Sequence, residues 1–325
     1  MISKKWLLAL GLSGLLAFGV AACGDDDDDN GDGNGGGDTP TGLEGSIAID
    51  GSSTVAPLSE AAAELFQQEN PDVQVSVGTS GTGGGFEKFC AGETDISDAS
   101  RQIDEQEEVP VCEEAGVEFE EVAVANDALT VVANPENPVT CLTVEQLNSV
   151  WGPDSKITSW GDIEGLDAEF AEELQLFGPG TDSGTFDYFT DAVNGEEGVQ
   201  RKEYNNVGED DNATVSGVSG APGGMGYFGF SFFEENADTL KALEIDGGDG
   251  CVAPSIETVQ DGTYTPLGRE LFIYPSAEAL QREEVQAFVT FYIENQEAIT
   301  EAAGFIPMTE EQTAESQDKV DSLAG

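Results

Sequence analysis

The stretch LQLFGPGTDSGTFDYF, Leu174 to Phe189, passes from a strand-like run through glycines and hydroxyl residues into an aromatic segment. Phe186, Phe189 and Val193 follow at helical spacing, so the segment reads as strand, loop and helix start. The same succession occurs twice earlier. SIAID (Ser46 to Asp50) leads into GSSTVAP and then a helical pattern with Leu58, Ala61, Ala62, Leu65 and Phe66 on one face, ended by Asn70-Pro71. VQVSV (Val73 to Val77) leads into GTSGTGGGFEKF, where Phe86, Phe89 and Cys90 keep helical spacing. Strands alternating with helices predict an α/β architecture.

A helix start presents unpaired N–H groups and a partial positive charge. Glycines let the backbone approach a ligand closely, and hydroxyls add donors that rotate to suit it. Ser and Thr are also ordinary N-caps, so one such loop says little. Three in one chain point to a shared anion site. A nucleotide fits poorly: Phe86 stands where GxGxxG needs its last glycine, and no Walker lysine follows any of the loops. Nor does GTDSG match a GxSxG elbow. The chain has no histidine, which removes the usual base for Ser183 and disfavours a secreted phosphatase or a transition-metal enzyme. No catalytic residue, cofactor or metal is expected; the chain reads as a binding protein, not an enzyme.

The 325 residues suffice for two domains, and 11 basic against 65 acidic residues give a net charge of −54. Such a surface repels nucleic acid and anionic head groups. At the N-terminus, Lys4 and Lys5 precede a short apolar run, Trp6 to Val20, with no stop-transfer pattern. VAAC resembles a lipoprotein signal-peptidase site, which implies a signal peptide over 1–22 and lipidation of Cys23. Residues 23–44, rich in Asp and Gly, read as a flexible tether; Gly24 to Gly42 alone spans roughly 25 Å. The expected location is outside the cytoplasm, with a lipid anchor as the sole membrane contact. Cys90, Cys112, Cys141 and Cys251 remain, an even number in an exported chain, with three possible disulfide connectivities. Cys90–Cys112, closing a local loop, and Cys141–Cys251, stapling a central segment, are the favoured pairs.

DGSSTVAP, SGTGGGFEKF, TDISDASRQI, LTVEQLNSVW, GPGTDSGTFDYF, EDDNATVSGVSG, GGMGYFGF, YTPLGRELFIY and EVQAFVTFYIEN run in order from about Asp50. Together they resemble the phosphate-binding proteins that feed ABC-type phosphate importers, across nearly all of the globular part. The resemblance implies a two-lobed type II periplasmic-binding-protein fold with the ligand cleft between the lobes. Lobe 1 is then 45–125 and 268–325, and lobe 2 is 126–267, with crossings near Val122 to Ala133 and Pro266 to Tyr274. It also implies inorganic phosphate as ligand, an ABC permease as partner, and a monomer. Another tetrahedral oxyanion (sulfate, molybdate or arsenate) and a sensing or adhesion lipoprotein are the alternatives.

Carried over by resemblance, the ligand residues are Ser53 and Thr54, then Ser80 or Thr82, then Ser183, Gly184 and Thr185. Asp98 stands at the aspartate of the family's SDA run. A buried acceptor there favours phosphate, which keeps a proton near neutral pH, over sulfate. One departure is plain: the family's arginine, four residues before the SGT serine, is Pro179 here. Only Arg101, Arg201, Arg269 and Arg282 exist, and Arg101, then Arg201, are the expected replacements. Glu209 to Asn212 (EDDN) read as holding one of these arginines. Because salt screens the acidic surface beyond about 8–10 Å, affinity must come from short directed donors. Anion binding is therefore expected to tolerate salt. Titrations at rising NaCl check this, and a steeply weakening Kd would contradict it.

Overall fold

A computed structural model describes residues 42–324. The expected signal peptide, Cys23 and the part of the expected tether up to Thr41 lie outside the described residues. The chain opens with β1 (Gly45–Gly51), α1 (Ala56–Glu69), β2 (Val73–Gly78), α2 (Thr82–Cys90), β3 (Ile96–Ala99), α3 (Val109–Ala115) and β4 (Val122–Ala133). The middle holds β5 (Cys141–Thr143), α4 (Val144–Trp151), β6 (Gln175–Gly178), α5 (Gly184–Phe189), β7 (Asn205–Asn206) and α6 (Asp211–Gly220). There follow β8 (Gly224–Gly229), α7 (Phe230–Glu235), β9 (Lys241–Ala242), β10 (Glu244–Asp246), β11 (Cys251–Val252) and α8 (Ile256–Gln260). β12 (Gly268–Pro275), α9 (Glu283–Glu294), α10 (Gln296–Ala303) and α11 (Glu310–Ala324) close the fold.

Each strand–loop–helix unit forms as the apolar spacing predicts. α1 turns Leu58, Ala62 and Phe66 inward, and Pro57 suits its first turn, where no N–H partner is lost. α5 buries Phe186, Tyr188 and Phe189 and runs into a π-helical turn, Thr190–Asn194, which carries Val193 inward. α2 lies tight on β1. A Cβ on Gly85 would stand 2.5 Å from the Cα of Gly51, so that contact admits only glycine.

The main sheet runs β2-β1-β3-β12-β4-β8-β6-β7, with β9 also on β4; β11-β10-β5 form a small sheet. β1 pairs in parallel with β2 and β3, as strand–helix–strand units require. β12 is antiparallel to both β3 and β4 and so joins the two halves of the sheet. All twelve residues of β4 are buried. Val122 to Ala125 belong to one hydrophobic core with Leu58, Phe66, Phe89, Phe288 and Tyr292. Ala128, Leu129, Val131 and Ala133 belong to another with Trp151, Trp160, Phe189 and Tyr227. β12 makes the same passage, with Leu271 to Tyr274 in the first core and the preceding Leu267 in the second. Ile306 also packs into the second core, although α9, α10 and α11 around it serve the first. It pairs as a β-bridge with Asn126, whose amide donates to the Pro307 carbonyl at 3.0 Å.

Cys90 is bonded to Cys112 and Cys141 to Cys251, across separations of 22 and 110 residues. Glu244 lies beside the second pair, but both sulfurs are spent in the bond. A crosslink restrains the unfolded chain more when it closes a longer loop. Replacing Cys141 and Cys251 by Ala should cost about 2–4 kcal/mol in urea unfolding. That is about 1 kcal/mol more than the same change at Cys90 and Cys112.

Candidate functional site

Three helix starts converge on the junction between the two cores, and none spends its hydroxyls on capping. α1 begins after Val55, α2 after Gly81 and α5 after Ser183, in each case without a side-chain cap. Elsewhere the chain caps its helices in the ordinary way: Thr143, Asp210 and Ser255 accept from the first turns of α4, α6 and α8. The difference leaves Ser53, Thr54, Ser183 and Thr185 with hydroxyls directed elsewhere than at their own helices. They line one cavity of about 380 Å³, together with Gly184, Asn126 and Asp127. Thr54 also borders a second compartment of about 640 Å³, lined by Gly81, Thr82, Ser100, Arg101 and Arg269.

The first and third loops touch. A Cβ on Gly184 would stand 2.8 Å from Thr54 Oγ1, so glycine there permits the close approach. Ser183 is buried and its hydroxyl has no hydrogen-bond partner among the described residues. In the second loop, Thr82 Oγ1 pairs with the Ser100 hydroxyl at 3.0 Å. Ser80 is turned away: its hydroxyl and its N–H both donate to Asp50, which also holds Lys88 at 2.7 Å. Of the two alternatives in this loop, Thr82 therefore lies on the cleft wall and Ser80 does not.

The cation at the junction is Arg269, which the sequence reading counted but did not select. Its Nε and Nη2 donate to Asp127 Oδ2 at 3.2 and 3.1 Å. Nη1 donates to the Ser100 carbonyl at 3.1 Å, and Nη2 reaches Thr54 Oγ1 at 3.4 Å. The guanidinium lies 3.4 Å from the centre of the Tyr188 ring, a cation–π contact. Tyr188 is itself held by donating to the Pro266 carbonyl at 3.0 Å. Burial pushes the Asp127 carboxyl up, and Arg269 opposes that shift. One signal for Arg269 was available in the sequence: it lies on the second predicted crossing strand, where a residue must border any cleft between the halves.

Neither expected arginine holds the place. Arg101 is half exposed and forked onto Glu108 at 2.7 and 2.8 Å, at the rim of the larger compartment. Arg201 is buried in the second core, where it donates to the carbonyls of Val150 and Ile157 at 3.1 and 2.9 Å. A cation at the end of α4 satisfies carbonyls that the helix leaves open, and that position takes Arg201 away from both compartments. EDDN holds no arginine. Glu209 and Asp211 line the smaller cavity, and burial with the charges of Glu209 and Asp210 pushes Asp211 up to about 6.

Asp98 is fully buried, on the α1 side of β3 and beneath the first loop, and lines neither compartment. Pairing in the sheet sets this orientation: Gly51 stands opposite Asp98, and Asp98 Oδ1 accepts from Ser59 of α1 at 2.8 Å. Its Oδ2 has no partner among the described residues. Burial pushes the carboxyl up to about 7 against the Ser59 hydrogen bond, with Asp50 and Glu60 adding to the rise.

A family model described as a PBP superfamily domain matches residues 36–296. Protein SphX of Synechococcus elongatus is 45% identical over 265 residues, which cover 81% of this chain and 77% of that protein. The phosphate-binding protein PstS of Staphylococcus saprophyticus is 37% identical, over 99% of this chain and 96% of its own. The crystal structure of a possible phosphate-binding protein from Planctomyces limnophilus superposes with a TM-score of 0.81. It is 42% identical and covers 87% of this chain and all of its own.

The raised Asp98 pKa has a stability consequence of definite sign. The folded chain keeps this proton to about pH 7, whereas an unfolded aspartate loses it near pH 4. Between those values the unfolded state binds fewer protons, so the contribution of this group falls as pH rises through the window. Asp98→Asn should therefore be neutral in urea unfolding at pH 4 and gain a few kcal/mol over the native chain above pH 7. An equal difference at both pH values would show that folding does not raise the affinity of this carboxyl for its proton.

Proposed function

The chain belongs to the PBP superfamily and, within it, to the phosphate-binding proteins of ABC phosphate importers, with their type II fold; on that footing we propose that it captures inorganic phosphate outside the cytoplasmic membrane and hands it to an ABC permease. The observation that carries the reading is the set of three uncapped helix starts meeting around Thr54, Gly184 and Arg269. None of these helix starts carries a side-chain cap, and the Ser53, Ser183 and Thr185 hydroxyls are on the cavity wall. A tetrahedral oxyanion offers several acceptors in the directions these donors supply.

In this reading the ligand-binding residues are Ser53, Thr54, Thr82, Ser183, Gly184 and Thr185, with Arg269 as the cation. The two halves, 45–125 with 268–325 and 126–267, are lobes that close on β4 and β12. Ligand bridging the first and third loops favours the closed form by its extra contacts there, and the closed face is what the permease meets. Lipidation at Cys23 and the acidic tether hold the body at the membrane surface. The relatives are binding proteins, and the site offers donors without an activated nucleophile, so binding without turnover is the expected activity.

Calorimetric titration with inorganic phosphate tests the reading. The native protein should bind, and Arg269→Ala should weaken binding at least about a hundredfold, because a charge-assisted donor is lost from a partly buried site. Arg101→Ala should change affinity less than about threefold, as expected for a rim ion pair. Native protein that binds no phosphate would sink the proposal.

A further inference from the structure

Tyr188 meets the cation of the cleft from the helix that begins at Gly184. Four residues apart, Gly184 and Tyr188 share a face of α5. Gly184 packs against Thr54, and the Arg269 guanidinium carbon stands 3.4 Å over the centre of the Tyr188 ring. Arg269 Nη2 in turn reaches Thr54 Oγ1 at 3.4 Å, so the contacts run from α5 to the loop before α1, to β12 and back to α5. The hydrogen bonds of Arg269 do not fix its plane. Nε and Nη2 both donate to one atom, Asp127 Oδ2, and two bonds converging on one oxygen form a pivot about which the guanidinium can tilt. Nη1 adds one bond to the Ser100 carbonyl at 3.1 Å, and the Thr54 contact lies at the long end of the range. A flat aromatic surface beneath the planar group removes the remaining freedom.

The ring is itself well fixed. It is 7% exposed, belongs to the second core, and donates its hydroxyl to the Pro266 carbonyl at 3.0 Å, three residues before Arg269 on the same stretch of chain. With its hydroxyl spent on that carbonyl, Tyr188 offers the cleft its face. Resting on the anion-binding reading of the cleft, we propose that Tyr188 is a positioning residue, whose ring holds the Arg269 guanidinium in the plane that presents its charge to an anion held between the first and third loops. The ring acts through Arg269 alone, so its effect on binding must vanish when the guanidinium is removed.

The test is titration with inorganic phosphate of native protein, Tyr188→Phe and Tyr188→Leu, with the two tyrosine variants repeated on Arg269→Ala. Melting temperatures confirm that each variant is folded, and Tyr188→Met replaces the leucine variant, under the same criteria, should that one fail to fold. Tyr188→Leu should weaken phosphate binding about tenfold, the scale of a lost aromatic contact to a partly desolvated guanidinium. Tyr188→Phe, which keeps the ring, should stay within about threefold of native. On Arg269→Ala, Tyr188→Leu should change affinity less than about twofold, because the group it positions is gone. A tenfold loss in both backgrounds would assign Tyr188 to the general packing of α5 and overturn the inference. So would a phenylalanine variant as weak as leucine, or a leucine variant that binds like native. Where Arg269→Ala leaves no measurable binding, the contrast between phenylalanine and leucine decides by itself. All of these outcomes leave phosphate binding standing, whereas native protein that binds no phosphate fails the functional reading and this inference with it.

Discussion

Arg269 and Asp127 meet across the antiparallel pairing of β12 with β4, at the place where both strands leave one hydrophobic core and enter the other. The pair is partly buried, so each charge needs the other: an unpaired guanidinium or carboxylate at this depth would carry a desolvation cost of several kcal/mol. Tyr188 on one side and the Ser100 carbonyl and Thr54 hydroxyl on the other complete the environment of the guanidinium. Those groups come from α5, the end of β3 and the loop before α1. A single side chain thus touches the connecting strands, the loop before α1 and the α5 helix.

That arrangement accounts for anion chemistry on a chain of net charge −54. The long-range field is unfavourable, but salt screens it over roughly 8–10 Å. What remains is local: the cavity-lining hydroxyls of Ser53, Thr54, Ser183 and Thr185, beside helix starts that carry no side-chain cap, and the Arg269 guanidinium. The acidic coat is left to solvation. Of the acids bordering the two compartments, Asp127 is held by Arg269, whereas Asp98 lies under α1 and outside both. Burial favours the neutral form of both acids, and only Asp127 has a cation beside it to oppose that preference.

Much of the architecture was legible in the sequence. β1, β2 and β6 coincide with SIAID, VQVSV and LQLF within a residue or two, because alternation and apolar runs are local properties. The helical faces of α1 and α5 were legible for the same reason, and so was the existence of three related loops. Ser53, Thr54, Ser183, Gly184 and Thr185 lie on the cavity wall because they sit at helix starts, and a helix start is marked by its own residues. Side-chain direction within a loop was not legible. Ser80 and Thr82 are two residues apart with similar chemistry, and only the proximity of Asp50 and Lys88 turns Ser80 away.

The sequence by itself determined the α/β alternation, the three Gly/Ser/Thr helix starts, the even set of cysteines and the absence of any histidine base. It also showed that Pro179 removes the arginine familiar in the resembling proteins. Only the tertiary structure decided which arginine reaches the cleft. Arg269 and Asp127 are 142 residues apart, and the register Arg269↔Asp127 joins strands that no local pattern pairs. The same holds for Asp98, whose face of β3 follows from its pairing with β1 and the packing of α1 on that side. Local periodicity says that a residue alternates sides; which side faces a ligand depends on partners far away in the chain.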